Sequence, residues 1–232
     1  MGRSWLLLWA LAGPMLAPGA FAQNGPPVFA VLPFENSGSY GQDKEVFQAL
    51  ELGIPATIGA TIASHPGARV ADEGRVRQAL GSHHLAASQH VDAATAAQIA
   101  KAAGARYTVT GSFADFYGKL RITARLVDAD DGRIIVVASN NDPKLQSRAQ
   151  LAAIIQHITE KMIGAAGLPP FPAATAAHAA AVPTDALNQY SRGLLFESQG
   201  DKARASDSYR RALSVFPDYT QARDGLQRVG GS

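Results

Sequence analysis

Cysteine is absent from all 232 residues. An exported form would therefore hold no disulfides, and its stability must come from packing. The same absence removes the acylated cysteine on which bacterial lipoproteins are anchored. Charge is sparse, at 17% of residues, and no block of one sign appears, which argues against a tail that binds polyelectrolytes. A net charge of +2 is too small an excess for a nucleic-acid footprint. Catalytic signatures are missing as well: there is no G-x-S-x-G, no S-x-x-K, no P-loop and no dinucleotide glycine pattern. These absences predict a chain that is not an enzyme and uses no cofactor. What is present, 47% hydrophobic residues, suits a globular protein with one medium domain and a small one.

At the amino terminus Arg3 precedes the apolar run from Trp5 to Leu11, Pro14 and Pro18 interrupt it, and Ala20-Phe21-Ala22 closes it. A basic start, a short apolar centre and an A-x-A site predict a signal peptide over residues 1–22, cut after Ala22. That run is far shorter than the ~20 residues of a spanning helix, and no later stretch reads as long and apolar enough to span a membrane.

Residues 23–165 read as one α/β domain. Val28 to Phe34 is a continuous apolar run between prolines, the pattern of a strand covered on both faces. Leu50, Ile54, Ile58 and Ile62 mark one helix face, and Pro55, tolerated in a first turn, places the helix start near Leu52. Ala68 to Ala71 is a short strand. Asp72 and Asp92 are placed to cap two further helices, the second ended by Gly104. From Arg106 the period becomes two, and three strands with tight turns at Tyr117-Gly118 and Asp130-Asp131-Gly132 predict an antiparallel meander with one buried and one open face. A final helix carries Leu151, Ile154, Ile155, Ile158 and Met162 on one side. The order β-α-β-α-α-β-β-β-α gives a mixed sheet packed by helices. Residues 166–184, rich in proline and alanine, read as a semi-rigid linker.

Residues 185–232 carry Gly193, Phe196, Ala205, Tyr209, Ala212 and Pro217 at the spacing of a tetratricopeptide repeat, a helix–turn–helix unit of about 34 residues. Gln189 and Arg192 depart from the large apolar residues usual there. The stretch from Tyr219 to Val229 suits a capping helix. One repeat cannot bury its faces alone, so Leu187, Tyr190 and Leu194 on the first helix are expected to dock onto the amino-terminal domain, a second copy, or a partner.

Four segments together, AVLPFEN (30–36), GARVAD (67–72), VDAATAAQIAKAAGARYTVTGSF (91–113) and LRITARLVDADDGRIIVVAS (120–139), resemble an envelope domain family. It includes the amino-terminal domain of TolB, curli-secretion CsgG-type proteins, flagellar FlgO-type proteins and outer-membrane activators of penicillin-binding proteins. The resemblance covers roughly residues 28–165. It implies a scaffold or activator that works by protein–protein contact in the periplasm, with other envelope proteins or a second copy of the chain as partners. This sequence departs from the curli channel in lacking both the lipid-bearing cysteine and extra alternating segments of about ten residues for membrane strands.

Several residues invite chemistry and do not complete it. Asp128, Asp130, Asp131 and Gly132 suggest a calcium loop, but the glycine falls one place early and Ser139 stands where glutamate is needed. His83, His84 and His90 lack carboxylates or thiols at zinc spacing. Asp115 and Asp128 have no third group beside them in the sequence. Arg121 and Arg125 share the open face of the meander and form a small basic patch suited to an acidic partner. Two readings follow: a periplasmic adaptor acting through both domains, or a structural subunit of an outer-membrane secretion or flagellar assembly.

Overall fold

The computed structural model describes residues 25–39, 43–83 and 90–230. The expected leader over 1–22 and His84 lie outside them. The described residues form a mixed six-stranded sheet and eight α-helices, an α/β fold with a helical carboxyl-terminal part. The strands are β1 (Val28–Val31), β2 (Glu35–Asn36), β3 (Arg69–Val70), β4 (Tyr107–Phe116), β5 (Lys119–Asp128) and β6 (Ile134–Ser139). Their order is β3-β1-β4-β5-β6, and β2 continues the line of β1 along β4. The parallel pairs are at β1, β2 and β3; the meander β4-β5-β6 is antiparallel.

The helices are α1 (Lys44–Ala63), α2 (Glu73–Ser82), α3 (Ala93–Ala102), α4 (Leu151–Ala165), α5 (Ala173–Ala180), α6 (Thr184–Ser198), α7 (Lys202–Val215) and α8 (Thr220–Gly230). Local signals account for many of their ends. Asp72 accepts from the Arg75 amide at 3.0 Å and Asp92 from the Thr95 amide at 2.9 Å, each satisfying a donor that a helix start leaves free. Gly104 ends the turn after α3 at φ 73°. A single 3-10 turn at Arg148–Gln150, closed by the reciprocal Ser147 and Gln150 capping box, leads into α4.

The expected start of the first long helix near Leu52 is corrected to Lys44, with Pro55 well inside. Proline has no N–H to give the carbonyl four residues back. Here the Phe34 amide, from the bend between β1 and β2, donates to Glu51 O at 3.1 Å in its place. A side-chain methyl on Gly111 would lie 2.4 Å from the Phe34 ring, so that glycine lets the ring cross β4. At this length α1 is also apolar enough to cross a membrane by length and composition, contrary to the expectation above. Its apolar face is nonetheless spent on the core, with Leu50, Ile54, Ile58 and Ile62 fully buried.

α1 and α4 cover one face of the sheet, with Phe29, Val109, Phe113, Ile122, Ala124 and Leu126 between. On the other face α2 and α3 pack over Ala30, Leu32 and Ala129. The expectation of a meander with one wholly open face is corrected, since Thr108 and Thr110 are buried there.

Residues 166–184 are no simple spacer. Phe171 is buried in the main core and meets His65 edge-on at 5.0 Å. His65 Nδ1 accepts from the Gly67 amide at 3.0 Å, which leaves Nε2 to donate to Pro169 O at 2.9 Å. α5 follows in the same segment.

α6 and α7 form a helical hairpin that α8 closes. A Cβ on Gly193 would sit 2.2 Å from the Tyr209 ring, and one on Gly225 would sit 2.6 Å from it. The two glycines therefore make the slot that Tyr209 fills. Ala186, Ala205 and Ala212 are fully buried around it, Phe196 nearly so, and Pro217 follows the end of α7. Glu197 binds all three helices together, accepting from Tyr209 Oη at 2.5 Å and from Arg228 Nε and Nη2 at 3.0 and 3.1 Å. α6 also packs on α1 so closely that a methyl on Gly53 would lie 1.8 Å from Ser191 Oγ. Arg192 pairs with Glu45 across the same contact at 3.1 Å.

Two outcomes test this packing. Gly53→Ala should destabilise the chain by roughly 1–3 kcal/mol through overpacking, and Ser191→Gly in the same chain should recover much of it, read as urea-unfolding midpoints. Burial would raise the Glu197 carboxyl, but hydrogen bonds from Arg228 and Tyr209 outweigh it and hold it below its ordinary 4.5. A carboxylate depressed on folding stabilises above its unfolded value and loses that contribution as pH falls through its folded one. Stability should therefore decline as pH drops below 4.5, and Glu197→Gln should flatten that part of the profile.

Candidate functional site

The part of the sheet that α2 and α3 do not reach carries an unusual set of side chains. Alternation along β5 puts Lys119, Arg121, Thr123 and Arg125 on one face. The β4 register sets Phe116, Ala114, Ser112 and Thr110 opposite them in turn, and on β6 Ser139 stands opposite Thr123 and Val137 opposite Arg125. Phe116 is 49% exposed, Ile134 42% and Val137 54%. The cations are scarcely quenched. Arg121 donates to Asn141 Oδ1 at 3.1 Å, and among the described residues neither Lys119 nor Arg125 forms an ion pair. Glu35, opposite Ser112 on β2, is turned to His90 at 3.3 Å. Arg106 shows the contrast, held between Asp128 at 2.9 Å and Asp130 at 2.7 Å.

The hairpin joining β4 to β5 is fixed from below. Tyr117 and Gly118 turn the chain at φ 52° and 87°, the paired positive angles of a tight hairpin. Tyrosine rarely takes such an angle, and Tyr117 is 88% exposed. Asp115 is fully buried beneath it and accepts from Arg148 Nε at 2.6 Å, Arg148 Nη2 at 2.8 Å and the Gly118 amide at 2.8 Å. Arg148 reaches Asp43 as well, at 3.0 Å, and its amide donates to Gly118 O. Its hydrogen bond to Asp115 holds the guanidinium's pKa above the ordinary value. Asp115 and Asp128 are thus each committed to a different arginine, Arg148 and Arg106.

The remaining sequence-derived candidates fall elsewhere. Leu187 is fully buried in the main core and Tyr190 is 6% exposed, while Leu194 is half-buried. Of the three dockings expected for this face, the structure supplies the one on the chain's own amino-terminal domain: α6 lies on α1 with Leu187 in the main core, while Tyr190 packs against Tyr209 and Tyr219 at 6.0 and 5.2 Å, so neither is left to a separate partner. Among the described residues no three metal-ligating side chains cluster. Two open grooves flank the helices. One, of about 430 Å³, is lined by Val46, Asn188 and Arg211; the other, of about 770 Å³, runs between α1, α5 and the start of α8. Sequence reasoning singled out Arg121 and Arg125 but missed Phe116, Tyr117, Lys119, Ile134 and Val137. Two aromatics abutting a turn glycine were the available signal. Ile134 and Val137 sit in a run that looks buried, and only the length of the covering helices exposes them.

No known protein family matches the chain, and no curated protein does. Among solved structures it is similar to the LpoB C-terminal domain from Salmonella enterica, at 17% identity and TM-score 0.38 over 52% of this chain and 85% of that one. It is similar also to TolB from Acinetobacter baumannii, at 16% identity and TM-score 0.37 over 61% of this chain and 29% of that one. A third is the PelC dodecamer from Paraburkholderia phytofirmans, at 16% identity and TM-score 0.32 over 62% and 89%. Likeness of this degree says nothing about activity or partners.

Removing Arg148 as Arg148→Ala leaves the Asp115 carboxylate buried without its partner and should cost about 3 kcal/mol or more. Amide exchange should quicken first at Gly118 and Lys119, and an unchanged melting temperature would count against the pair as the hairpin's anchor.

Proposed function

We propose that the chain is a non-enzymatic protein-binding module of the bacterial cell envelope, exported to the periplasm and acting there as an adaptor. The observation that carries this reading is the half of the sheet face over which no described helix packs. Lys119, Arg121 and Arg125, none of them in an ion pair among the described residues, share that face with exposed Phe116, Ile134 and Val137, and patches that mix apolar and charged side chains are a usual mark of contact surfaces. The leader pattern from Arg3 to Ala22 and the resemblance to the TolB and CsgG–FlgO-type envelope domains support the compartment. The tetratricopeptide-like hairpin serves in this reading as a rigid extension of the domain, because its first helix is taken up by α1. Neither a cofactor nor a metal ion has a part in it.

In-cell photo-crosslinking tests the assignment. A photoreactive residue at Val137 should capture a discrete envelope protein that mass spectrometry identifies, whereas one at exposed Arg210 on α7 should not. Equal capture at both positions, or none at Val137, would overturn it.

A further inference from the structure

Among the described residues the sheet ends on β6, and no strand covers that edge. The other terminal strand, β3, has two residues, too few to template pairing; β6 has six, Ile134–Ser139. Its sequence IIVVAS holds no proline and no charge, two of the devices by which sheet edges normally resist further strands. Inward, Val136 and Ala138 pack with α4 into the core. Outward, no strand among the described residues pairs with β6; Lys161 Nζ reaches Ser139 O at 3.3 Å at one end of it.

We propose that this edge accepts an acidic, extended segment of a partner polypeptide as a seventh strand. The proposal rests on the adaptor reading above and names the chemistry of its partner. Neighbouring strands lie about 4.8 Å apart, so an added strand would run about 10 Å from β5. An arginine and a glutamate side chain together span that distance, which brings Arg125 and, near Ser139, Arg121 within reach of carboxylates at alternate positions. Val137, 54% exposed, then gains a covering neighbour. A second copy of this chain suits the edge less well. Pairing β6 with β6 would bring no carboxylate to Arg121 and Arg125, and would place a second row of cations about 14 Å away in their stead. Backbone hydrogen bonds would supply most of the affinity and the basic row the selection, as in other strand additions.

The test uses the purified chain and a synthetic ten-residue peptide alternating glutamate and valine, with its lysine–valine counterpart as control. Amide hydrogen exchange within Ile134–Ser139 should slow about tenfold or more with the acidic peptide, and stay unchanged with the basic one. Arg125→Glu, at a half-buried site with no ion pair to lose among the described residues, should weaken binding about tenfold, and added salt should do the same. Val137→Lys, which adds a charge to the edge, should also weaken it. Unchanged exchange at β4 in both variants would show that the fold is intact. Equal protection by both peptides, protection elsewhere with β6 unaffected, or concentration-dependent protection of β6 without peptide would each overturn the proposal, the last in favour of a second copy. If crosslinking at Val137 still captures a partner while β6 stays unprotected, strand addition alone falls and the adaptor reading stands.

Discussion

Helix α1 is held in place by a hydrogen bond that its own proline makes available. Pro55 cannot satisfy Glu51 O, and the Phe34 amide does so from the bend between β1 and β2. The bond joins helix and sheet at a fixed height, and Phe34 in turn lies across β4 only because position 111 is glycine. A buried carbonyl without a partner would cost free energy comparable to a lost hydrogen bond, so helix, bend and strand form one arrangement. The opposite side of α1 receives α6 at Gly53 and Ser191. Sheet and helical hairpin thus meet on a single helix, and Leu187 and Phe171 from the carboxyl-terminal part belong to the main core.

The unequal cover of the two sheet faces follows from helix length. α1 and α4, of 20 and 15 residues, shield one face along β4, β5 and β6. α2 and α3 have ten residues each and shield only the region of Ala30, Leu32 and Ala129. Beyond them β5 must present side chains that tolerate water, and it presents cations. Exposed like charges on one strand repel only weakly through solvent and salt, so the fold tolerates them, and a partner bearing carboxylates would relieve the repulsion. Beneath the hairpin the opposite economy applies. Asp115 and Arg148 are withdrawn from water at a cost that their mutual bonds offset, and the result is a tight turn held in one register with Tyr117 outward.

Much of the fold was legible because its causes are local. Strict alternation from Tyr107 to Leu126 names the long hairpin, Asp72 and Asp92 name helix starts, and Gly104, Gly118 and Gly132 mark places where the backbone takes a positive angle. The proposed contact surface was half legible. Arg121 and Arg125 could be placed on one face from the period alone, and the β4 register, Thr110 opposite Arg125 among its pairs, agrees. Whether Val137 or Leu187 would be exposed could not be read, because each is an apolar residue whose cover, or lack of it, is set by an element distant in the chain.

By itself the sequence determined the α/β class, the order of the longer elements though not β2 or α5, the caps, the turns and the row of side chains along β5, since each depends on residues within a few positions of one another. Only the tertiary structure decided that Pro55 lies mid-helix, that residues 166–184 are packed against the core, that α6 spends its apolar face on α1, and that β6 ends the sheet with its edge open. These depend on a partner group supplied from far along the chain: the Phe34 amide for Glu51, His65 for Pro169, Gly53 for Ser191. Periodicity reports which face of an element is apolar; it carries no information about what will cover it.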